Sequence, residues 1–220
     1  MPRRARIVVP YHLYHVTQRG NYRQNIFQED QDRVVYLKYI QEKSVLYGVD
    51  IYAYCLMDNH VHFLVKPHDP TALANMFRTV HMKYSHYFNR KNHQKGHLWQ
   101  GRYYSCLVNG RHIVRAFRYV ENNPVRAGMV DKAWEYTWSS ARAHLGKEYK
   151  IICLADGSEY IDLKLWKSYL SKGESEKSLT RMRDITRKGL MLASHDFVVK
   201  MEQRLGINII PNRRGRLNRK

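Results

Sequence analysis

Stretches of strand-type and helix-type patterning alternate along the chain, and their order predicts a fold. A β-rich run at about 12–18, from His12 to Gln18, precedes the Gly20-Asn21 turn signal and reads as a strand. A helix follows, started by Glu29 or Asp30, carried by Val34, Leu37, Ile40 and the Val45-Leu46 pair, and stopped at Gly48. Two β-rich runs at about 49–57 and 60–66 are separated only by Asp58-Asn59, which predicts a tight hairpin. Leu73, Met76, Phe77, Val80 and Tyr84 mark a helix over 71–90. A strand at 102–108 and an amphipathic helix from Arg111 to Asn122, stopped by Pro124, complete the series.

Strand, helix, hairpin, helix, strand, helix is the order of an α+β fold with a ferredoxin-like antiparallel sheet and helices on one face. Residues 151–220 read as a small helical basic extension, with helices at about 161–170, 176–188 and 195–205, the last capped by Ser194. A boundary near residue 150 divides the chain into a larger unit, 1–150, and this extension, 151–220.

The chain has 38 Lys and Arg against 19 Asp and Glu, a net charge of +19, and +8 of that lies in the last 50 residues. With 44% apolar residues a core is available, so the excess charge points to a polyanionic partner of a folded protein. Nucleic acid is favoured over a membrane, because no apolar run approaches the ~20 residues of a spanning helix and no signal-peptide pattern follows the N-terminus. The expected location is cytoplasmic and nucleoid-associated. Cys55, Cys106 and Cys153 are odd in number and widely spaced, which argues against a disulfide framework or a zinc site.

Two segments carry candidate chemistry. In Met57-Asp58-Asn59-His60-Val61-His62, a strand would project His60 and His62 from the same face, half of a divalent-metal site. Spacing alone leaves a metal site and a pair of partly buried, hydrogen-bonded histidines as equal alternatives. On the helix ending at Pro124, Tyr119 and Asn123 fall on one flank of the Ile113, Ala116, Phe117, Val120 stripe, with His112 on the same flank. With 17 tyrosines in the chain, the simpler reading of Tyr119 by phase alone is an ordinary boundary residue.

The segments "MDNHVHFLV" and "RYVENNPVRAGMV" together resemble the single-tyrosine HUH transposases, specifically the bacterial REP-associated tyrosine transposases. The resemblance extends to "YHVTQRGNYRQNIF" at 14–27, "HLWQGRYYSCLV" at 97–108 and "WSSARAHLG" at 138–146, and more loosely to the C-terminal helix and basic tail. Leu217 stands where the family often has Pro. The resemblance implies that His60 and His62, with Asn123 as third ligand, hold Mg²⁺ or Mn²⁺, and that Tyr119 is the nucleophile. The implied reaction is metal-dependent cleavage of single-stranded DNA at REP-type hairpins through a 5′-phosphotyrosine, followed by rejoining. It needs no nucleotide cofactor, and no phosphate-binding Gly-rich loop is present.

Forming phenolate at pH 7 from a tyrosine of pKa ~10 costs roughly 4 kcal/mol, so cations near Tyr119 are expected. Arg3, Arg4, Arg102, Tyr103, Arg111, Arg115, Arg118, Arg213, Arg214 and Arg216 are candidate DNA contacts, supplying phosphate partners and a base-stacking ring. Both a monomer and a homodimer fit the sequence. Two other functions remain open at this level: a hairpin-binding regulator without catalysis, and a metal-dependent phosphodiesterase that uses water.

Overall fold

The structure, a computed structural model, describes residues 6–147 and 151–209. Arg3, Arg4, Arg213, Arg214, Arg216 and the boundary at 150 lie outside the described residues. In chain order the elements are β1 (Leu13–Arg19), α1 (Asp30–Tyr47), β2 (Val49–Met57), β3 (His60–Pro67), α2 (Ala72–Lys91), β4 (Tyr104–Val108) and α3 (His112–Glu121). There follow α4 (Asn123–Arg126), α5 (Ala141–His144), α6 (Trp166–Leu170), α7 (Glu176–Lys188), β5 (Met191–Leu192) and α8 (His195–Leu205). Among the described residues no helix is long and apolar enough to cross a membrane.

The sheet order is β2-β3-β1-β4-β5. Its first four strands are antiparallel, the ferredoxin-like arrangement expected from the element order. Local chemistry sets the helix ends. Glu29 and Asp32 form a reciprocal capping box at the start of α1, and Gly48 ends that helix in the left-handed region at φ 62°.

Alternation along the strands sorts the two faces of the sheet. Val16, Val61, Phe63 and Val65 are buried against α1 and α2, where Phe63 packs on Tyr36 and Phe77 at ring-centre distances of 6.3 and 5.8 Å. The expected helix pair therefore covers this face. The opposite face carries His15, Thr17, His60 and His62, and α3 and α7 pack over it.

The C-terminal segment joins this sheet directly. β5 runs parallel to β4, with Leu107 beside Met191 and Val108 beside Leu192, and α7 lies against β4 and β1. The expected helix at 161–170 is shorter than its pattern, with regular helix only over Trp166–Leu170. Asp162 accepts from the backbone amides of Lys164 and Leu165, so its side chain supports a turn where the pattern suggested helix.

One buried cluster fixes the end of α3. Glu121 is fully buried and accepts hydrogen bonds from Ser140 Oγ (2.5 Å), His144 Nδ1 (2.6 Å) and Trp166 Nε1 (2.7 Å). Burial opposes protonation of His144, but the Glu121 carboxylate wins and holds its pKa above the ordinary histidine value. The ion pair ties α3 to α5 and α6 two residues after Tyr119.

Candidate active site

Strands β1 and β3 pair in a register that sets Thr17 opposite His62 and Arg19 opposite His60. His60 and His62 project from one face, and their rings meet edge to face at 5.0 Å. Tyr119 descends from α3 onto the same face, its ring 5.7 Å from that of His62 and 5.3 Å from that of His15, perpendicular to both. His60, His62, Tyr119 and Asn123 line one cavity of about 490 Å³.

The chain turn after α3 prepares Asn123. Pro124 has no N–H to offer the carbonyl of Val120, four residues back. Asn123 Nδ2 donates there instead, at 3.2 Å, and to the carbonyl of Tyr119 at 3.0 Å. Pro124 does end α3, but Asn123 then opens the short helix α4 rather than swinging free. Its amide nitrogen is committed, and Oδ1 is the atom left for a ligand.

The histidines are prepared in a similar way. His60 Nδ1 lies 2.6 Å from Asn59 Oδ1, which requires a proton on Nδ1 and leaves Nε2 with a lone pair. His62 Nδ1 lies 2.8 Å from His15 Nε2, so Nε2 is also the free nitrogen of His62. Burial, then nearby arginines, lowers the pKa of His60 to about 4; burial and the neighbouring histidines push that of His62 well down. Both rings are therefore neutral at pH 7. Two neutral imidazoles and an amide oxygen suit a divalent cation, and the hydrogen bonds at each Nδ1 are the outer-shell contacts such ligands use. Among the described residues there is no group of three or more His, Cys, Asp or Glu side chains placed to hold a metal, so an amide is the third donor on offer.

The electrostatics of the cavity favour a phosphate. Arg19, Arg23, Arg126, Arg183 and Arg187 line it, with no Asp or Glu. Burial raises the Tyr119 pKa, while Arg126 and, less strongly, Arg183 act to lower it. Arg126 reaches this position by donating to the Tyr119 carbonyl at 2.6 Å and lying over the Tyr119 ring.

Sequence reasoning missed most of these partners. His15, Arg19, Arg126, Arg183, Thr186 and Arg187 all line the cavity, and the last three come from α7. The one local signal was alternation: His15, Thr17 and Arg19 share a face of β1. Among the expected DNA contacts, Arg102 lines a groove with Arg6, Arg187 and Lys188 that adjoins the cavity through Tyr104 and Thr186. Arg115 is exposed beside a second cavity of about 200 Å³, which Tyr119 and His112 also line. Arg111 is exposed at the start of α3.

Two of those expectations are corrected. Tyr103 is only 6% exposed, with its ring against Phe77 and beneath the Arg6 guanidinium at 3.7 Å, so it is a core residue rather than an open stacking surface. Arg118 pairs with Glu174 at 3.3 Å and covers the ring of Tyr169, so its charge is already used within the fold.

A ferredoxin-like sheet that sets a His-x-His pair against a helix-borne tyrosine defines the class of the single-tyrosine HUH enzymes. The family profile described as "Transposase IS200 like" matches residues 8–123, more than half the chain, and the chain belongs to that family. It is a transposase, an enzyme that nicks and joins DNA. No curated protein matches the chain. Among solved structures it is similar to a REP-associated tyrosine transposase bound to a REP hairpin, at 17% identity over 71% of this chain and 93% of that one, with a TM-score of 0.54. It also matches a transposase candidate from Deinococcus radiodurans R1, at 17% identity over 55% of this chain and 97% of that one, with a TM-score of 0.39.

Proposed function

We propose that the protein cleaves and rejoins single-stranded DNA at REP-type hairpins, with Tyr119 as nucleophile and His60, His62 and Asn123 as ligands of Mg²⁺ or Mn²⁺. The observation that carries this reading is the convergence of those four residues on one cavity lined by arginines and free of carboxylates. The bound cation would withdraw charge from the phosphate oxygens as they become more negative.

Tyr119 Oη forms the new bond to phosphorus while the bond to the 3′ oxygen breaks, leaving a 5′-phosphotyrosine and a free 3′-OH. Reversal by another 3′-OH rejoins a strand and restores the tyrosine, so the phosphodiester energy is conserved. Arg126 and Arg183 favour the phenolate; the remaining arginines hold the flanking phosphates. Residues 1–150 carry the nucleophile and the metal ligands, and the extension 151–220 completes the cavity through α7 and supplies additional DNA contacts. Glu121 is fully buried and is satisfied by three donors, His144 among them, which gives the pair a structural role.

The test is incubation of the protein with a hairpin oligonucleotide labelled at both ends and Mg²⁺ or Mn²⁺. The expected product is a denaturation-resistant adduct that Tyr119→Phe abolishes while hairpin binding persists. Hydrolysis without adduct would mean that water is the nucleophile, and binding without cleavage would mean a regulator.

A further inference from the structure

His62 is the end of a buried chain of hydrogen bonds that starts in the C-terminal segment. His62 Nδ1 lies 2.8 Å from His15 Nε2, with the two ring planes only 9° apart. His15 Nδ1 lies 2.9 Å from Thr186 Oγ1, and Thr186 Oγ1 lies 3.2 Å from Cys106 Sγ. His15, Thr186 and Cys106 are each 1% exposed. The chain therefore crosses from β3 through β1 to α7 without water access at its middle.

Such a chain has two proton arrangements. In one, His62 Nδ1–H donates to His15 Nε2, His15 Nδ1–H donates to the Thr186 hydroxyl, and Thr186 donates to the Cys106 sulfur. In the other, every donor is reversed, from Cys106 S–H through Thr186 and His15 to His62 Nδ1, and the proton of His62 sits on Nε2. Only the first leaves a lone pair on His62 Nε2. Every atom of both rings able to hydrogen-bond, except that one nitrogen, has a partner, so the arrangement of the whole chain decides whether His62 can bind a cation.

We propose that Thr186 and His15 are positioning residues that hold His62 in its Nδ1–H form, and that α7 is thereby an integral part of the metal centre. The proposal rests on the reading of His62 as a metal ligand. Geometry supports it from a second side: Arg183 and Arg187, within one turn of Thr186 on α7, line the same cavity. A helix that only clamps distant DNA has no reason to contribute a buried hydroxyl to the chain behind a ligand.

The test uses the full-length protein. Mn²⁺ affinity is measured by electron paramagnetic resonance for the wild type, Thr186→Val, Thr186→Ser and His62→Ala, alongside hairpin affinity in chelator and thermal melting. Thr186→Val should weaken Mn²⁺ binding about 10- to 100-fold with hairpin affinity unchanged, and Thr186→Ser should restore it. Wild-type Mn²⁺ affinity in Thr186→Val, when His62→Ala has lost it, overturns the proposal alone. Undiminished affinity in His62→Ala overturns the metal-ligand reading as well. Should Thr186→Val fail to fold, ¹⁵N-histidine spectra of the metal-free wild type decide: a proton on Nδ1 of His62 supports the proposal, and a proton on Nε2 overturns it.

Discussion

The guanidinium of Arg126 lies 4.4 Å from the centre of the Tyr119 ring and donates to the backbone carbonyl of the same residue at 2.6 Å. A buried tyrosine resists ionisation, and this cation is the largest influence in the opposite direction. Removing it leaves burial less opposed, so the Tyr119 pKa rises further. Arg126→Ala should slow single-turnover adduct formation by about 10- to 100-fold, roughly 1.4 to 2.8 kcal/mol of barrier, and move the pH–rate profile to higher pH. Arg126→Lys keeps the charge without the planar stacking and should fall between. An unchanged profile in Arg126→Ala would remove the residue from the chemistry.

Five arginines and no carboxylate make the cavity hostile to a free cation. A DNA phosphate supplies the missing negative charge, so metal and DNA should each tighten the binding of the other by the same factor. Tyr119→Phe allows the measurement without cleavage. Its Mn²⁺ affinity should increase at least about tenfold when a hairpin oligonucleotide is present, a coupling of about 1.4 kcal/mol. Equal affinity with and without DNA would contradict the charge argument.

Glu121 holds three donors inside the protein, one of them the His144 ring. Glu121→Ala removes the carboxylate and strands those donors, at an expected cost of about 3–5 kcal/mol of stability by denaturant unfolding. Glu121→Gln preserves shape but not charge and should cost less. Because α3 carries Tyr119, adduct formation should fall in parallel with the folded fraction rather than independently of it.

Acid should destabilise the fold partly through His81, which packs against Trp99 with the ring planes 38° apart and lies 3.1 Å from the Tyr36 hydroxyl. Burial, aided by Arg6, lowers its pKa from 6.5 to about 3. Between those values the unfolded chain binds a proton that the folded chain does not. Stability therefore rises with pH across this window and is lost as pH falls. His81→Met should reduce the slope of unfolding free energy against pH by up to about 1.4 kcal/mol per unit between pH 4 and 6. The same slope in both proteins would mean that His81 takes up its proton while folded.

Local relationships were legible in the sequence. His60 and His62 share a face because strand side chains alternate, and Tyr119 and Asn123 share a flank because four residues span one helical turn. Capping and breaking residues did the same for element ends: Gly48 closes α1, Pro124 closes α3, and Ser194 caps α8 by accepting from the Phe197 amide. The net charge of +19 announced a polyanionic partner but not which arginines meet it. Glu174, 56 residues beyond Arg118, pairs with both Arg118 and Arg126, and only Arg126 also lines the cavity, beside Arg19 and Arg183.

What stands behind His62 follows from tertiary contacts alone. His15 reaches His62 across 47 positions, and Thr186 reaches His15 across 171. The first contact depends on the β1–β3 register, where a slip of one residue would turn His15 to the other face. The second depends on α7 docking against β4. Periodicity encodes which side of its own element a residue takes; it carries no information about which element arrives on that side.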